Sequence, residues 1–398
     1  MTALSPVAPR ERLLTLDVLR GFALLGVLTA NLFWLYSARQ FEHPAEPHTI
    51  DRVAAALEEL LVQGKAQTLL TFLFGFGFAV QLLRAQARNE PVTGLYVRRL
   101  LVLLGIGSLH VILWWGDVTW HYGLTGFGLL LFLRASNRTR LVCAAFLIFV
   151  PGIVLWGVPA IRNHLFDRQA FQQHVTPFLA ALHAKSFFAI IPAHVRFALA
   201  YLAPSICSYF PWLVGQFLLG YVAGRQRWFD DDGAPRLRLF RRMLGFGLVF
   251  AVGNAAVAIR IHLGPHGARQ LSVLANVVIA ALAQVGTLAL TAVYVSGVVL
   301  LVQRRRWRRV LSLIAPIGRM PLTTYISQSL VCTFLFYGWG LGWAGHVTAA
   351  RCIGLAFLIF AVQVLACSGW LQRFQFGPVE WVWRTAVYLR RQPMRKTS

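Results

Sequence analysis

Apolar residues run along the chain in blocks of about twenty, and nearly every block is closed by arginines or by a short polar turn. A helix needs about 20 mostly apolar residues to cross a hydrocarbon layer about 30 Å thick. The pattern therefore predicts an all-α, polytopic membrane bundle of about ten transmembrane helices. These are expected near Leu16–Tyr36, Leu60–Leu83, Tyr96–Asp117, Val118–Leu133, Leu141–Val158, Phe197–Ala223, Met243–Ile261, Leu271–Val302, Met320–Trp343 and Ala349–Trp370. Together they make one integrated domain, 1–398. It has a short N-terminal segment at 1–15, a long outer loop at 160–196 and a basic tail at 372–398. The loop alternates phenylalanines with histidines, which suits helices lying on a membrane surface.

The first span breaks the apolar pattern in an ordered way. RLLTLDVLRGFALLGVLTAN carries Asp17, Arg20 and Asn31. At about 100° per residue, Arg20 and Asn31 fall within roughly 20° of each other, and Asp17 within about 60° of both. One helix face thus holds an acid, a guanidinium and an amide. Polar groups inside a bilayer are costly and normally face a bundle interior or a wet cavity. Asp17 and Arg20 suit either an N-terminal cap with a topology-setting arginine or a buried pair at the mouth of a cavity. Asn31 suits either an interhelical hydrogen bond or a functional amide.

Composition narrows the class. The chain is 57% hydrophobic and 13% charged, where a soluble domain carries about 25% charged residues. The net charge of +24 would ordinarily raise nucleic acid as a partner. Here the basic residues sit in short clusters between apolar runs, which is how topology is encoded, and nucleic-acid binding is not expected. With both termini in the cytoplasm, most of the 38 Lys and Arg fall on the cytoplasmic side of the membrane. The five cysteines lie in or beside apolar segments without a metal or redox spacing, and neither a metal nor a bound cofactor is expected.

The remaining polar candidates are few. His43 and His48 lie just outside the first span, where an imidazole can accept a proton from a hydroxyl or amine. The prolines of HPAEPH exclude a helical metal face. Lys65 stands at the outer end of the second span, and His110 lies within the third, seven residues before Asp117. The histidines of the long loop, including His183 and His194, are spaced too widely to suggest a local site. Phe74–Gly77 lacks the Gly-Lys-Ser/Thr of a phosphate loop, so its glycines are expected at a close helix contact.

The motifs taken together resemble a known family. RLLTLDVLRGFALLGVLTAN, GKAQTLLTFLFGFGFAVQ, FLLGYVAGRQRWF, IGRMPLTTYISQSLVCTFLFYGWGLG and RFQFGPVEWVWR are similar to segments of the YeiB-like bacterial inner-membrane proteins, a family of unknown function. Thr324 stands where that family usually has Asn. The family looks distantly related to transmembrane acyltransferases, including the lysosomal heparan-α-glucosaminide acetyltransferases. That resemblance implies a functional Asn at Asn31 and a catalytic His at His43, with His48 as the alternative. It implies donor phosphates held by Asp17, Arg20, Arg99 and Arg319, and a cavity shaped by Lys65, His110, Asp117 and Gln328. The expected activity is acyl transfer from cytoplasmic acetyl- or acyl-CoA to a cell-envelope glycan or lipid. A transporter of a lipid-linked or small anionic solute, and a non-catalytic membrane scaffold, are the alternatives.

Overall fold

The computed structural model describes residues 13–42, 48–87, 92–161, 168–263 and 272–396. Regular structure among them is helical, save one isolated antiparallel bridge between Phe374 and Arg395. Seven helical stretches among the described residues are long and apolar enough to cross a membrane: Leu14–Tyr36, Thr49–Ala87, Thr93–Leu113, Asn137–Leu155, Phe187–Cys207, Val273–Val302 and Ala349–Arg373. The chain is an all-helical membrane protein.

The helices are α1 (Leu14–Ala30, continued by a π-helical stretch, Asn31–Tyr36), α2 (Arg39–Glu42), α3 (Thr49–Leu61), α4 (Lys65–Ala87) and α5 (Val92–Leu113). There follow α6 (Thr119–Thr125), α7 (Asn137–Gly157), α8 (Arg168–Leu182), α9 (Phe187–Cys207), α10 (Tyr209–Arg225), α11 (Leu237–Leu263) and α12 (Val273–Val302). The last are α13 (Arg305–Ser312), α14 (Ala315–Arg319), α15 (Pro321–Phe336), α16 (Ala349–Arg373) and α17 (Pro378–Tyr388).

The first span is the axis of the bundle. It packs against α4, α12, α14, α15 and α16, and 56% of its apolar window is buried, against 22% for Asn137–Leu155. Peripheral helices instead turn large apolar side chains outward, among them Leu109, Phe246, Val249 and Leu365. In water such a surface would be a liability. In lipid it costs nothing, because the chains it meets are equally apolar.

Three sequence expectations change in three dimensions. The segment expected as a fourth span, 118–133, forms α6 and a 3-10 helix, Gly126–Phe132, folded back along α5. The stretch expected as a sixth span is divided at Ser208, where α9 ends and α10 begins. The loop expected at 160–196 contains α8 and the first turns of α9. Val175, Phe178 and Leu182 recur on one face of α8 and are buried in the main core. The turn after α15 locks this segment down, with Gly338 N donating to Leu182 O at 2.8 Å and Gly345 N to Ser37 O at 3.0 Å.

Helices α4 and α10 make the most intimate contact. A Cβ at Gly75 would strike the Phe217 carbonyl, and one at Gly220 would strike the Phe72 carbonyl. Both obstacles are backbone, so neither can swing aside. Gly77, in the same FGFG run, has nothing within 4 Å of a built Cβ. Gly220→Val is therefore expected to cost about 3 kcal/mol or to abolish folded protein, while Gly77→Val leaves stability nearly unchanged. Thermal unfolding in detergent checks both; equal melting temperatures would rule out the contact as described.

Candidate functional site

Two polar centres are built around α1. The first lies in the bundle interior where α5 ends. After Leu113 the chain turns through Trp114–Asp117, with Trp114 fully buried, and restarts as α6. Asp117 organises this turn. Its Oδ2 accepts from Trp120 N at 2.8 Å, an N-capping contact for α6. Its Oδ1 accepts from the Thr119 hydroxyl and lies 2.7 Å from His110 Nδ1. His110 and Asp117 are both buried. A carboxylate only accepts, so Nδ1 of His110 is the donor, and in the neutral imidazole Nε2 is the acceptor. That Nε2 is buried without a hydrogen-bond partner among the described residues.

Side chains from α15 and α1 close over this turn. Tyr325 accepts from Val118 N at 3.1 Å, and its ring sits 5.3 Å from that of His110. Tyr36 stacks on Trp114 with ring centroids 4.5 Å apart and donates to Ser329 Oγ at 2.8 Å. From α9, His194 places Nδ1 3.1 Å from Ile112 O and packs its ring 5.6 Å from Tyr337.

The second centre lies at the opposite end of α1 and is rich in arginine. Arg20 Nη1 pairs with Asp17 Oδ1 at 3.3 Å. A Cβ at Gly318 would strike the Asp17 carbonyl, so α14 lies tight against this turn and Arg319 follows immediately. Glu380 of α17 then binds the start of α15. Its Oε1 accepts from Leu322 N (2.6 Å) and Thr323 N (3.0 Å), and its Oε2 accepts from the Thr323 hydroxyl. One turn after Glu380 comes Arg384, whose guanidinium lies 4.3 Å from the Phe376 ring. Arg99 of α5 lies 4.6 Å over Trp383, and Arg98 donates to Val387 O at 3.0 Å. Arg99 and Arg384 both feel the charge of Arg20. Burial holds the Arg384 guanidinium below its ordinary pKa; Tyr388 and Glu380 oppose that shift, and the Arg20 charge adds to it. Arg319 Nε and Arg384 Nε are buried without a hydrogen-bond partner among the described residues.

The other sequence candidates are placed as follows. Asn31 opens the π-helical stretch, is half-buried, and makes no side-chain hydrogen bond among the described residues. Widened turns of this kind are frequent at functional sites. Five residues on, roughly 7 Å along the axis, Tyr36 meets the interior centre. His43 lies outside the described residues. His48 is exposed, immediately before α3. Lys65 is buried and donates to Glu59 O at 2.7 Å, so it closes the C-terminal end of α3. Gln328 donates to Gln363 Oε1 at 3.0 Å, joining α15 to α16 through an amide pair. Cys332, Cys352 and Cys367 are buried free thiols. Among the described residues no group of three His, Cys, Asp or Glu comes together that could hold a metal ion. Sequence reasoning missed His194, Tyr325 and Tyr36 in the interior and Glu380 and Arg384 at the basic end.

Known proteins share this chain's length as well as its motifs. It is 32% identical to the uncharacterised protein YxaH of Bacillus subtilis, with all of both chains covered. It is 30% identical to the uncharacterised protein YeiB of Escherichia coli, over 94% of this chain and 96% of that one. The family model described as protein of unknown function DUF418 matches residues 223–390. The chain belongs to the YeiB-like DUF418 family. In this DUF418 protein the matched region supplies Arg319, Gln328, Glu380 and Arg384, while α1 and α5 supply Arg20, Arg99, His110 and Asp117.

Glu380 gives the basic end a pH signature. Burial pushes its carboxyl above the ordinary value, against the hydrogen bonds from Thr323 and Leu322. A raised folded-state pKa stabilises below the unfolded value and loses that contribution as pH rises through the folded one. Wild-type stability is expected to fall relative to Glu380→Gln as pH rises from acid toward neutral. Glu380→Ala should cost about 3 kcal/mol at acid pH, because two backbone donors of α15 lose their partner, and less as pH rises. Melting curves of the three proteins across pH check this; parallel curves would refute the pH dependence.

Proposed function

We propose that this protein is a ten-span inner-membrane acyltransferase, both termini cytoplasmic, that moves an acyl group from cytoplasmic acyl-CoA to a cell-envelope glycan or lipid. The observation that carries the reading is the arginine-rich end of the first span. Arg20, Arg99, Arg319 and Arg384 come from four helices and meet few acids. Asp17 is paired to Arg20, and Glu380 is occupied by the start of α15. Like charges gathered at one end of a helix repel, and a phosphate-bearing ligand relieves the repulsion. Guanidinium groups suit it because they bind phosphate oxygens in pairs.

On this reading the arginines hold the phosphates of the donor and the acyl arm runs along α1. The Asn31 amide donates to the thioester carbonyl oxygen as it gains charge. A transporter of a lipid-linked or small anionic solute is favoured by the same arginines, which would then bind the solute without covalent chemistry.

Purified protein in detergent with radiolabelled acetyl-CoA separates the two. Turnover is expected, with Asn31→Ala lowering kcat about 100-fold. The double change Arg99→Gln with Arg384→Gln is expected to raise KM about tenfold or more while sparing kcat. Folded protein that turns over none of a series of acyl-CoA chain lengths would leave the transporter reading standing. A C-terminal reporter active only in the periplasm would overturn the orientation.

A further inference from the structure

Asp117 and His110 form a pair that the donor end does not use. Two imidazoles in this interior are tied down in the same way. His110 Nδ1 is held by Asp117 at 2.7 Å and His194 Nδ1 by the Ile112 carbonyl at 3.1 Å. Both partners only accept, so both Nδ1 atoms carry hydrogen, and in the neutral imidazoles both Nε2 atoms are acceptors. Both Nε2 atoms are buried without a partner among the described residues, as is the hydroxyl of Tyr337 beside His194. Their walls (Tyr36, Trp114, Phe178, Tyr325 and Tyr337) belong to one core cluster. Buried polar atoms are paired in the great majority of cases, and an orphan is costly. Two acceptors and one hydroxyl left open in one aromatic-walled interior suit a ligand that brings its own hydroxyl or amine hydrogen.

We infer that His110 is the proton acceptor of this protein, that its Nε2 takes the hydrogen of a hydroxyl- or amine-bearing acceptor molecule, and that Asp117 is its positioning residue. Asp117 is fitted to that role because Thr119 and Trp120 fix its oxygens. It holds the imidazole in one tautomer and stabilises the imidazolium once the proton arrives. The fate of that proton rests on the acyl-transfer reading. The acceptor O–H bond breaks to Nε2 as the oxygen bonds to the thioester carbonyl carbon. The C–S bond then breaks, and the leaving thiolate recovers the proton from His110. Tyr36 ties this centre to α1 at the level of the widened turn that Asn31 begins.

The test has two arms on full-length protein in detergent. Nitrogen NMR of labelled histidine reads the tautomer, with Asp117→Asn shifting the assigned signal should His110→Gln fail to fold. The expected His110 signal has hydrogen on Nδ1 and a bare Nε2; hydrogen on Nε2 would overturn the assignment. In the second arm acetyl-CoA is the donor and water the acceptor. His110→Gln should lower kcat about 100-fold or more with KM within twofold. Asp117→Asn should lower kcat about tenfold and shift the pH profile. A folded His110→Gln with wild-type kcat, where His43→Ala has none, would move the role to His43. If the wild type turns over no acetyl-CoA, the acyl-transfer reading fails, and the tautomer alone decides His110: a bare Nε2 upholds it and a protonated one ends it.

Discussion

Inside lipid a polar side chain survives only where neighbouring helices cover it and supply its hydrogen bonds. That constraint explains why the first span sits at the centre. It carries more polar groups than any apolar run should, and α4, α12, α14, α15 and α16 gather around it. Covering one helix from all sides requires close approaches. Gly318 against the Asp17 backbone and Gly220 against Phe72 provide them, at sites where any side chain would collide with a carbonyl.

The same constraint shapes both polar centres. Asp117 is buried with hydrogen bonds from His110, Thr119 and the Trp120 backbone, so its charge is compensated locally. Its cap on α6 also turns the chain back along α5 and sets the His110 ring between Tyr325 and Trp114. At the basic end Glu380 has a comparable double use. It binds the first backbone donors of α15, and by doing so it brings Arg384 and Trp383 beside Arg20 and Arg99. In each case one buried carboxylate fixes a helix start; Asp117 also holds His110, seven residues earlier, and Glu380 stands one turn before Arg384. Rigidity of that kind is what a reaction centre or a binding site needs, because small displacements of reacting groups are expensive.

Much of this was legible in order along the chain. Apolar block length and arginine placement identify a helical membrane protein without any contact information. The helical wheel of the first span marks its polar face, and the resemblance in that span agrees with full-length relatives in the YeiB-like DUF418 family. His110 and Asp117 stand out as ionisable groups within apolar sequence, and their bond is seen directly. Gln328 and Lys65 were equally visible, but each is occupied structurally, one by Gln363 and the other by the Glu59 carbonyl.

What the sequence determined by itself was local: which stretches are apolar enough for lipid, which are helical, and which residues in them are chemically out of place. Only the tertiary structure decided which of those residues meet. His194 belongs to a segment read as an outer loop, yet α8 and α9 carry it into the core beside Tyr337. Arg384 lies more than 360 positions from Arg20, yet the Glu380 bond to α15 makes them electrostatic neighbours. The reason is physical. Helix formation and membrane preference depend on residues a few positions apart, whereas a site depends on packing between helices that the order of residues along the chain does not rank.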